Sequence, residues 1–148
     1  MLQKEIDDFI SIFQNTPALA LLYVGEKNNN IVSSLTTLSQ NNNGSLKIKY
    51  IQDINCLKFK LTPREYEYAI LQNTLVTCDN KNQFLKIVYH SLENSAQIII
   101  LEDKKTSDIN QIKELLEQSN FLAINDIDIF EQYNLIIAKK MHMWSAGL

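Results

Sequence analysis

The chain has 148 residues, of which 45% are hydrophobic and 21% charged, and it carries a formal net charge of −3. This length and composition are typical of one globular domain, so we predict a single domain over residues 1–148. The lysines are scattered along an acidic chain, which argues against a nucleic-acid-binding protein. No apolar run approaches the roughly 18 residues of a membrane span, and the first residues lack a secretory signal, so we expect a cytoplasmic protein without membrane attachment. The two cysteines and two histidines form no pair at metal-ligand spacing, so we predict no metal site.

The first third of the chain alternates helical and extended patterns. Apolar residues at helical spacing predict an N-terminal helix within residues 1–16, which Pro17 stops. The continuous apolar run 18–24 predicts a buried strand that ends at Gly25. After a polar loop and a short helix, residues 46–51 alternate between apolar side chains and lysines, which predicts an edge strand with one solvated face.

The central stretch, residues 66–104, has the length and pattern of one βαβ unit. Two apolar runs, the first of Ala69, Ile70, Leu71, Leu75 and Val76 and the second over 97–101, are typical of parallel strands buried on both faces. Between them, Asp79 or Asn80 is predicted to cap a helix, followed by a turn into the second strand. Since such crossovers are almost always right-handed, the topology of this unit is nearly fixed by its order.

The last part of the chain predicts a helix and a hairpin. Ser107 is predicted to cap a helix that ends near Asn120. Two strands follow, over about 121–129 and 135–141, and the short link between them requires antiparallel pairing. Residues 141–148 are predicted to form a C-terminal tail. The whole order predicts an α/β fold, a Rossmann-like open sheet, mostly parallel, with helices on both faces and a C-terminal antiparallel hairpin.

These segments resemble class I S-adenosylmethionine-dependent methyltransferases over about residues 18–140. The fourth strand of that family is similar to YEYAILQNTL, and its next helix and fifth strand are similar to NQFLKIVYHSLENSAQIIILED. Its last helix and closing hairpin are similar to SDINQIKELLEQSNFLAINDIDIFEQYNLIIAKK. The resemblance implies a methyltransferase-like domain that binds S-adenosylmethionine.

The resemblance places the first strand and its glycine-rich turn at ALALLYVGEKNNN. Members of the family usually carry two or three glycines and an acidic residue here, where the backbone approaches the cofactor. In this chain Gly25 is the one glycine of the turn, and Glu26 is the acidic residue that would meet a ribose hydroxyl or the methionine amine. Each missing glycine adds a Cβ near the ligand or restricts φ, so this half of the site is abbreviated.

Two further positions follow from the resemblance. Asp53 takes the place of the polar residue that addresses the adenine amino group, and Ile54 takes the place of the apolar residue against the ring. This assignment treats residues 46–51 as the third strand, and one strand and helix are then missing. If 46–51 is instead the second strand, Asp53 takes the ribose role and the third strand shrinks to residues 57–61.

The fourth strand of the family delivers residues to the same site, and here Gln72 and Asn73 lie at its end. Ligands of open α/β sheets bind beyond the carboxyl ends of the strands, which groups Gly25, Asp53 and Asn73. The Asp/Asn-Pro-Pro-aromatic motif of amino-group methyltransferases is absent, and no residue of the sequence is assigned as a general base, so the catalytic residues stay unknown.

Two functions from different classes are therefore predicted. The first is an S-adenosylmethionine-dependent methyltransferase acting on a small molecule or a protein. The second is a degenerate methyltransferase-like domain without catalysis that serves as a binding or scaffolding partner, as a homodimer or with another protein. An unrelated α/β module that binds another small molecule is a third and weaker interpretation.

Overall fold

The computed structural model describes residues 2–27, 30–51 and 60–140, and within these ranges the chain forms one layered α/β structure. The helices are α1 (Gln3–Ile10), α2 (Asn30–Asn41), α3 (Lys81–Ser91) and α4 (Ile109–Gln118). The strands are β1 (Ala20–Gly25), β2 (Ser45–Tyr50), β3 (Tyr66–Gln72), β4 (Leu92–Asp103), β5 (Phe121–Ile127) and β6 (Tyr133–Lys140). A short 3-10 helix, Leu75–Thr77, connects β3 to α3.

The six strands form one sheet in the order β2-β1-β3-β4-β6-β5. Strands β1 to β4 pair in parallel, whereas β6 pairs antiparallel with β4 and β5 antiparallel with β6. This arrangement confirms the predicted fold class, including the mostly parallel sheet and the C-terminal antiparallel hairpin. Strand β2 lies at one edge, as the alternation of its side chains predicts.

The sheet is covered on both faces because its central strands alternate buried side chains between two apolar layers. Along β1, Leu22 and Val24 join the layer that packs under α3 and α4. Leu21 and Tyr23 join the opposite layer, which packs under α1 and α2. Every residue of β3 from Ala69 to Gln72 is at most 1% exposed, as expected for a strand in the middle of a parallel sheet.

Two helix boundaries differ from the prediction, at the end of α1 and at the start of α4. Helix α1 ends at Ile10, earlier than the predicted helix within 1–16, because the N–H groups of Ile12 and Phe13 bond three residues back and close turns. Helix α4 is capped by Asp108 instead of Ser107, since the Asp108 carboxylate accepts the Asn110 N–H at 2.9 Å. The Ser107 hydroxyl donates instead to the Asp103 carbonyl oxygen at 2.7 Å.

The predicted turn between α3 and the next strand is wrong as well. Strand β4 begins at Leu92, directly after α3, and Leu92 pairs with Tyr66. The next pair is Tyr68 with Gln97, so the intervening residues of β4 form an irregularity within the strand. Ser95 in this segment has a left-handed φ of 67°. The irregularity therefore lies within β4, near its start.

None of the helices in the described part of the chain is long and apolar enough to cross a membrane.

Candidate functional site at the carboxyl ends of β1, β3 and β4

Three parallel strands deliver their carboxyl ends to one edge of the sheet. Val24 of β1 lies beside Leu71 of β3, and Gln72 of β3 lies beside Leu101 of β4. The residues that follow these positions therefore meet, as open α/β sheets require at a ligand-binding edge. We call this region the carboxyl edge and define it by Gly25, Glu26, Gln72, Asn73 and Glu102.

At the end of β1, the backbone of Gly25 lies against groups of the protein itself. A Cβ built on Gly25 would lie 2.6 Å from the Tyr23 hydroxyl oxygen and 2.8 Å from the Gln72 carbonyl oxygen. Such separations are shorter than real Cβ contacts, and the φ of this glycine is not positive. The glycine is therefore required for close approach, and the space on its Cβ side is filled by Tyr23 and Gln72.

Tyr23 and Gln72 are joined by a buried hydrogen bond. The Tyr23 hydroxyl is 2.8 Å from the Gln72 Oε1 and 2.9 Å from the Glu26 carbonyl oxygen. Both side chains are at most 1% exposed. Since a hydroxyl has one hydrogen to donate, these two acceptors share it, and the bonds fix the side chain of Gln72 inside the fold. Gln72 is thus brought to the predicted edge, with its amide oxygen turned to Tyr23.

Asn73 links the ends of β1 and β4. Its side-chain Nδ2 donates to the Glu26 Oε1 at 2.9 Å, and its Oδ1 accepts the Asp103 backbone N–H at 2.9 Å. The backbone N–H of Asn73 donates to the Leu101 carbonyl oxygen at 2.8 Å. Its φ is 52°, a left-handed conformation that asparagine tolerates better than most residues. Asn73 therefore holds Glu26 in place at the half-buried edge.

The turn after Asn73 is held from both flanking strands. The Thr74 hydroxyl donates to the Val24 carbonyl oxygen of β1 at 2.8 Å. The Leu75 N–H donates to the Glu102 Oε1 of β4 at 3.1 Å. Thr74 and Leu75 are buried, whereas the next side chain, Val76, is 49% exposed. The turn thus carries an exposed apolar side chain at the edge on a backbone that is fixed by hydrogen bonds.

Glu102 is a buried carboxyl group that the sequence patterns did not single out. Its side chain is 2% exposed, and among the described residues its Oε2 has no hydrogen-bond partner. Burial raises the pKa of Glu102 from 4.5 to about 7, although the Leu75 and Val76 backbone N–H groups and the charge of Lys81 oppose this rise. The negative charge of Glu26 adds to the increase. A signal existed, because Glu102 follows the apolar run of β4 directly, where a strand meets a ligand edge.

The structure brings four of the six predicted site residues together. Gly25, Glu26, Gln72 and Asn73 lie within the hydrogen-bonded network at the ends of β1 and β3. Asp53 and Ile54 lie outside the described residues. Strand β2, which precedes them, pairs directly with β1. That place beside the first strand favours the alternative in which residues 46–51 are the second strand.

A cavity lies elsewhere on the molecule. It has a volume of about 470 Å³ and is formed by α3 and the end of α4, with Lys86, Tyr89 and His90 among its lining residues. Carboxamide side chains supply much of the remaining wall, and the lining contains no residue of the carboxyl edge. We give priority to the carboxyl edge, because it holds a buried acid with a raised pKa and lies where open sheets bind ligands.

The sequence matches no protein-family model and no curated protein sequence. The fold is nevertheless similar to solved structures. One is an S-adenosylmethionine-dependent methyltransferase from Aquifex aeolicus, with a TM-score of 0.71 at 12% identity, over 92% of this chain and 89% of that chain. Another is the [4+2]-cyclase SpnF, with a TM-score of 0.70 at 9% identity, over 94% of this chain and 81% of that chain.

A third similar structure is the phosphoethanolamine N-methyltransferase 2 of Haemonchus contortus, in complex with phosphomonomethylethanolamine and S-adenosylhomocysteine. Its TM-score is 0.70 at 9% identity, over 93% of this chain and 52% of that chain. At these identities the similarity establishes the fold, a class I methyltransferase fold, for this chain. Because a cyclase has the same fold, activity has to be argued from the site.

Proposed function

We propose that this chain is an S-adenosylmethionine-dependent methyltransferase that acts on a small molecule or a protein. The observation that carries the proposal is the position of Glu26. Its carboxylate stands at the end of β1, is only partly buried, and is held by Asn73 at 2.9 Å. A carboxylate at this place is what a cofactor with ribose hydroxyls and an amino group requires as an acceptor.

The described residues fit this cofactor in part. Glu26 would accept hydrogen bonds from the ribose hydroxyls or the methionine amine, and Asn73 would keep Glu26 in that orientation. The bound cofactor would supply an electrophilic methyl group, which a nucleophile attacks in line. Because such a displacement depends chiefly on positioning, the fixed turn from Asn73 to Val76 would orient the substrate that accepts the methyl group. Asp53 and Ile54 remain the predicted contacts to the ribose or the adenine ring.

Calorimetric titration with S-adenosylmethionine and S-adenosylhomocysteine tests the proposal. We expect saturable heat with both ligands. We also expect Glu26→Gln to weaken both affinities by about tenfold, because a charge-assisted hydrogen bond is lost at the site. Glu114→Gln is the matched control, since Glu114 is an exposed carboxylate of α4. No heat with either ligand up to millimolar concentration would refute cofactor binding.

A second function is favoured by the end of β1. Tyr23 and Gln72 fill the space on the Cβ side of Gly25, which supports an abbreviated site in a domain without catalysis that serves as a binding or scaffolding partner. Leu122 and Ile127, which are 48% and 37% exposed on the outer strand β5, are the residues we assign to such an interface. Light scattering after gel filtration separates the two functions. A dimer that Leu122→Lys converts to a monomer, together with no cofactor binding, would support the second.

We further propose that the protein acts in the cytoplasm, that it binds no nucleic acid, and that it does not attach to membranes. The net charge of −3 supports the second of these, because a nucleic-acid binder needs a basic surface. A filter-binding assay with a mixed-sequence duplex at low salt checks it, and retention that disappears with added salt would count against it.

A further inference from the structure

Glu102 has more acceptor capacity than the turn beside it uses. Its Oε1 accepts the Leu75 N–H at 3.1 Å, and the Val76 N–H also lowers its pKa, yet among the described residues its Oε2 has no hydrogen-bond partner. A glutamine would offer the same single acceptor to Leu75 without a charge. Because burial of a charged group is costly, the fold alone would favour the amide. The carboxyl group therefore calls for an explanation other than the Leu75 contact.

The surroundings of Glu102 contain little positive charge. The positive charge of Lys81, at the start of α3, lowers the pKa of Glu102. The Lys81 Nζ donates to the Cys78 carbonyl oxygen at 2.9 Å. The negative charge of Glu26, at the end of β1, raises the pKa of Glu102. Among the described residues, these are the two charged side chains that shift the pKa of Glu102. Within this part of the chain, one lysine thus opposes and one further carboxylate adds to the rise in the pKa of Glu102.

We propose that the carboxyl edge prefers a ligand group that carries a positive charge, and that Glu102 releases its proton to solvent when this group binds. The reaction is a simple ionisation. The Glu102 carboxylic acid becomes a carboxylate, the proton goes to the buffer, and the ligand keeps its composition. In the low dielectric of a buried edge, attraction between the new carboxylate and the cation is stronger than in water. Contact between them is not required.

This inference rests on the proposed function, which supplies a suitable cation. S-adenosylmethionine carries a sulfonium group, whereas S-adenosylhomocysteine carries a neutral thioether at the same position. A site with the properties of Glu102 would therefore bind the methyl donor more tightly than the demethylated product. The preference would increase with pH, because Glu102 is more fully charged above neutrality.

The test measures proton release by calorimetry on the full chain, at pH 7 in two buffers of different ionisation enthalpy. We expect S-adenosylmethionine to release about half a proton more than S-adenosylhomocysteine, because a group with a pKa near 7 is half protonated at that pH. Glu102→Gln keeps the acceptor for Leu75 and removes the titrating group. In this variant the difference in proton release between the two ligands should fall by about half a proton. At pH 8.5 the preference for the cationic ligand should fall by about fivefold to tenfold.

Glu114→Gln serves as the matched control, since it removes an exposed carboxylate from α4 and should leave both quantities unchanged. The comparison with Glu102→Gln also cancels any proton that the ligand's own amino group releases. Equal proton release in the wild type and Glu102→Gln would overturn this inference while leaving the proposed function intact. No binding of either ligand to the wild type would overturn both.

Discussion

The ends of β1 and β4 lie side by side at the carboxyl edge but differ in their polar groups. At the end of β1, the Tyr23 hydroxyl lies within hydrogen-bond distance of the Gln72 side chain and the Glu26 carbonyl oxygen. The backbone of Gly25 packs against the Tyr23 side chain and the Gln72 carbonyl oxygen. At the end of β4, the Glu102 carboxyl has one oxygen without a hydrogen-bond partner in the described part of the chain. The Tyr23 hydroxyl therefore bonds to neutral groups, whereas the Glu102 carboxyl is a buried group that titrates.

Structural and chemical roles are therefore divided between two neighbouring strand ends. The two acceptors of the Tyr23 hydroxyl, a side-chain amide and a backbone carbonyl, do not change charge between pH 5 and pH 8. Burial raises the pKa of the Glu102 carboxyl to about 7, so its charge near neutral pH depends on the charges around it. Asn73 connects the two, because its side chain bonds to Glu26 on one side and to the Asp103 N–H on the other. Mutations can therefore test the ends of β1 and β4 separately and then the link between them through Asn73.

The largest effect is expected from Gly25→Ala. The new Cβ would lie 2.6 Å from the Tyr23 hydroxyl and 2.8 Å from a backbone oxygen, so the buried end of β1 has to shift. We expect a loss of about 3 kcal/mol in the free energy of unfolding, as for overpacked cores. Urea denaturation measures it. The double variant Gly25→Ala with Tyr23→Phe should recover part of the loss, and strict additivity of the two changes would contradict the assigned contact.

The next effect depends on pH and concerns Glu102→Gln. Folding raises the pKa of Glu102 from 4.5 to about 7, so the unfolded chain gives up this proton at lower pH than the folded chain. The contribution of Glu102 to stability is therefore fully present below pH 4.5 and is lost as the pH rises through 7. Relative to the wild type, Glu102→Gln should gain about 2 kcal/mol between pH 5 and pH 8.

Denaturation of both proteins across that pH range provides the measurement. Glu114→Gln is again the control, because an exposed carboxylate should change the profile very little. Parallel pH profiles for the wild type and Glu102→Gln would mean that Glu102 titrates at its ordinary pKa, and the contrast between the two strand ends would then be lost.

Sequence patterns were sufficient for the architecture because its signals are local and repeated. Apolar runs without alternation predicted the parallel strands β3 and β4, and a short link between two strand patterns required the hairpin of β5 and β6. The error at the start of α4 arose because two neighbouring polar residues have similar capping ability. Asp108 caps α4 although Ser107 precedes it, and nothing in their order distinguishes the two.

The grouping of the candidate residues was predictable, whereas their contacts were not. The topology places Glu26, Gln72 and Asn73 together, as expected for residues at the carboxyl ends of neighbouring strands. The sequence suggested that Gly25 clears space for a ligand, whereas the space on its Cβ side is filled by Tyr23 and Gln72, which are 49 positions apart. Burial of Glu102 depends on the same kind of distant packing. Neither fact can be read from spacing.

Asn73 tests the connection between the two ends. Asn73→Ala should lose about 1.5 kcal/mol, because it removes the bonds to Glu26 and Asp103 and places an alanine at a φ of 52°. Asn73→Gly removes the same bonds without the backbone penalty, so it should lose about 1 kcal/mol less than the alanine variant if the left-handed cost is typical. The pair Asn120→Ala and Asn120→Gly, at an exposed residue with a φ of 70°, gives the backbone cost alone. Equal losses for both Asn73 variants would show that the backbone carries no strain there.

The smallest expected effect comes from Tyr23→Phe, and it completes the contrast with Glu102. The change removes the hydroxyl that bonds to Gln72 and to the Glu26 carbonyl, and it leaves the Gln72 Oε1 buried without that donor. We expect a loss of about 1 kcal/mol in stability. Tyr133→Phe is the control, because the Tyr133 hydroxyl bonds to none of the described residues, and it should change stability very little.

The pH dependence of this loss is the informative quantity. Both acceptors of the Tyr23 hydroxyl, a side-chain amide and a backbone carbonyl, keep the same charge from pH 5 to pH 8, so the loss should be constant across that range. The effect of Glu102→Gln should change over the same interval because a carboxyl group ionises within it. If the loss from Tyr23→Phe instead followed the titration of Glu102, the end of β1 would be coupled to that ionisation. Asn73, which bonds to both Glu26 and the Asp103 N–H, would then be the connection through which the charge acts.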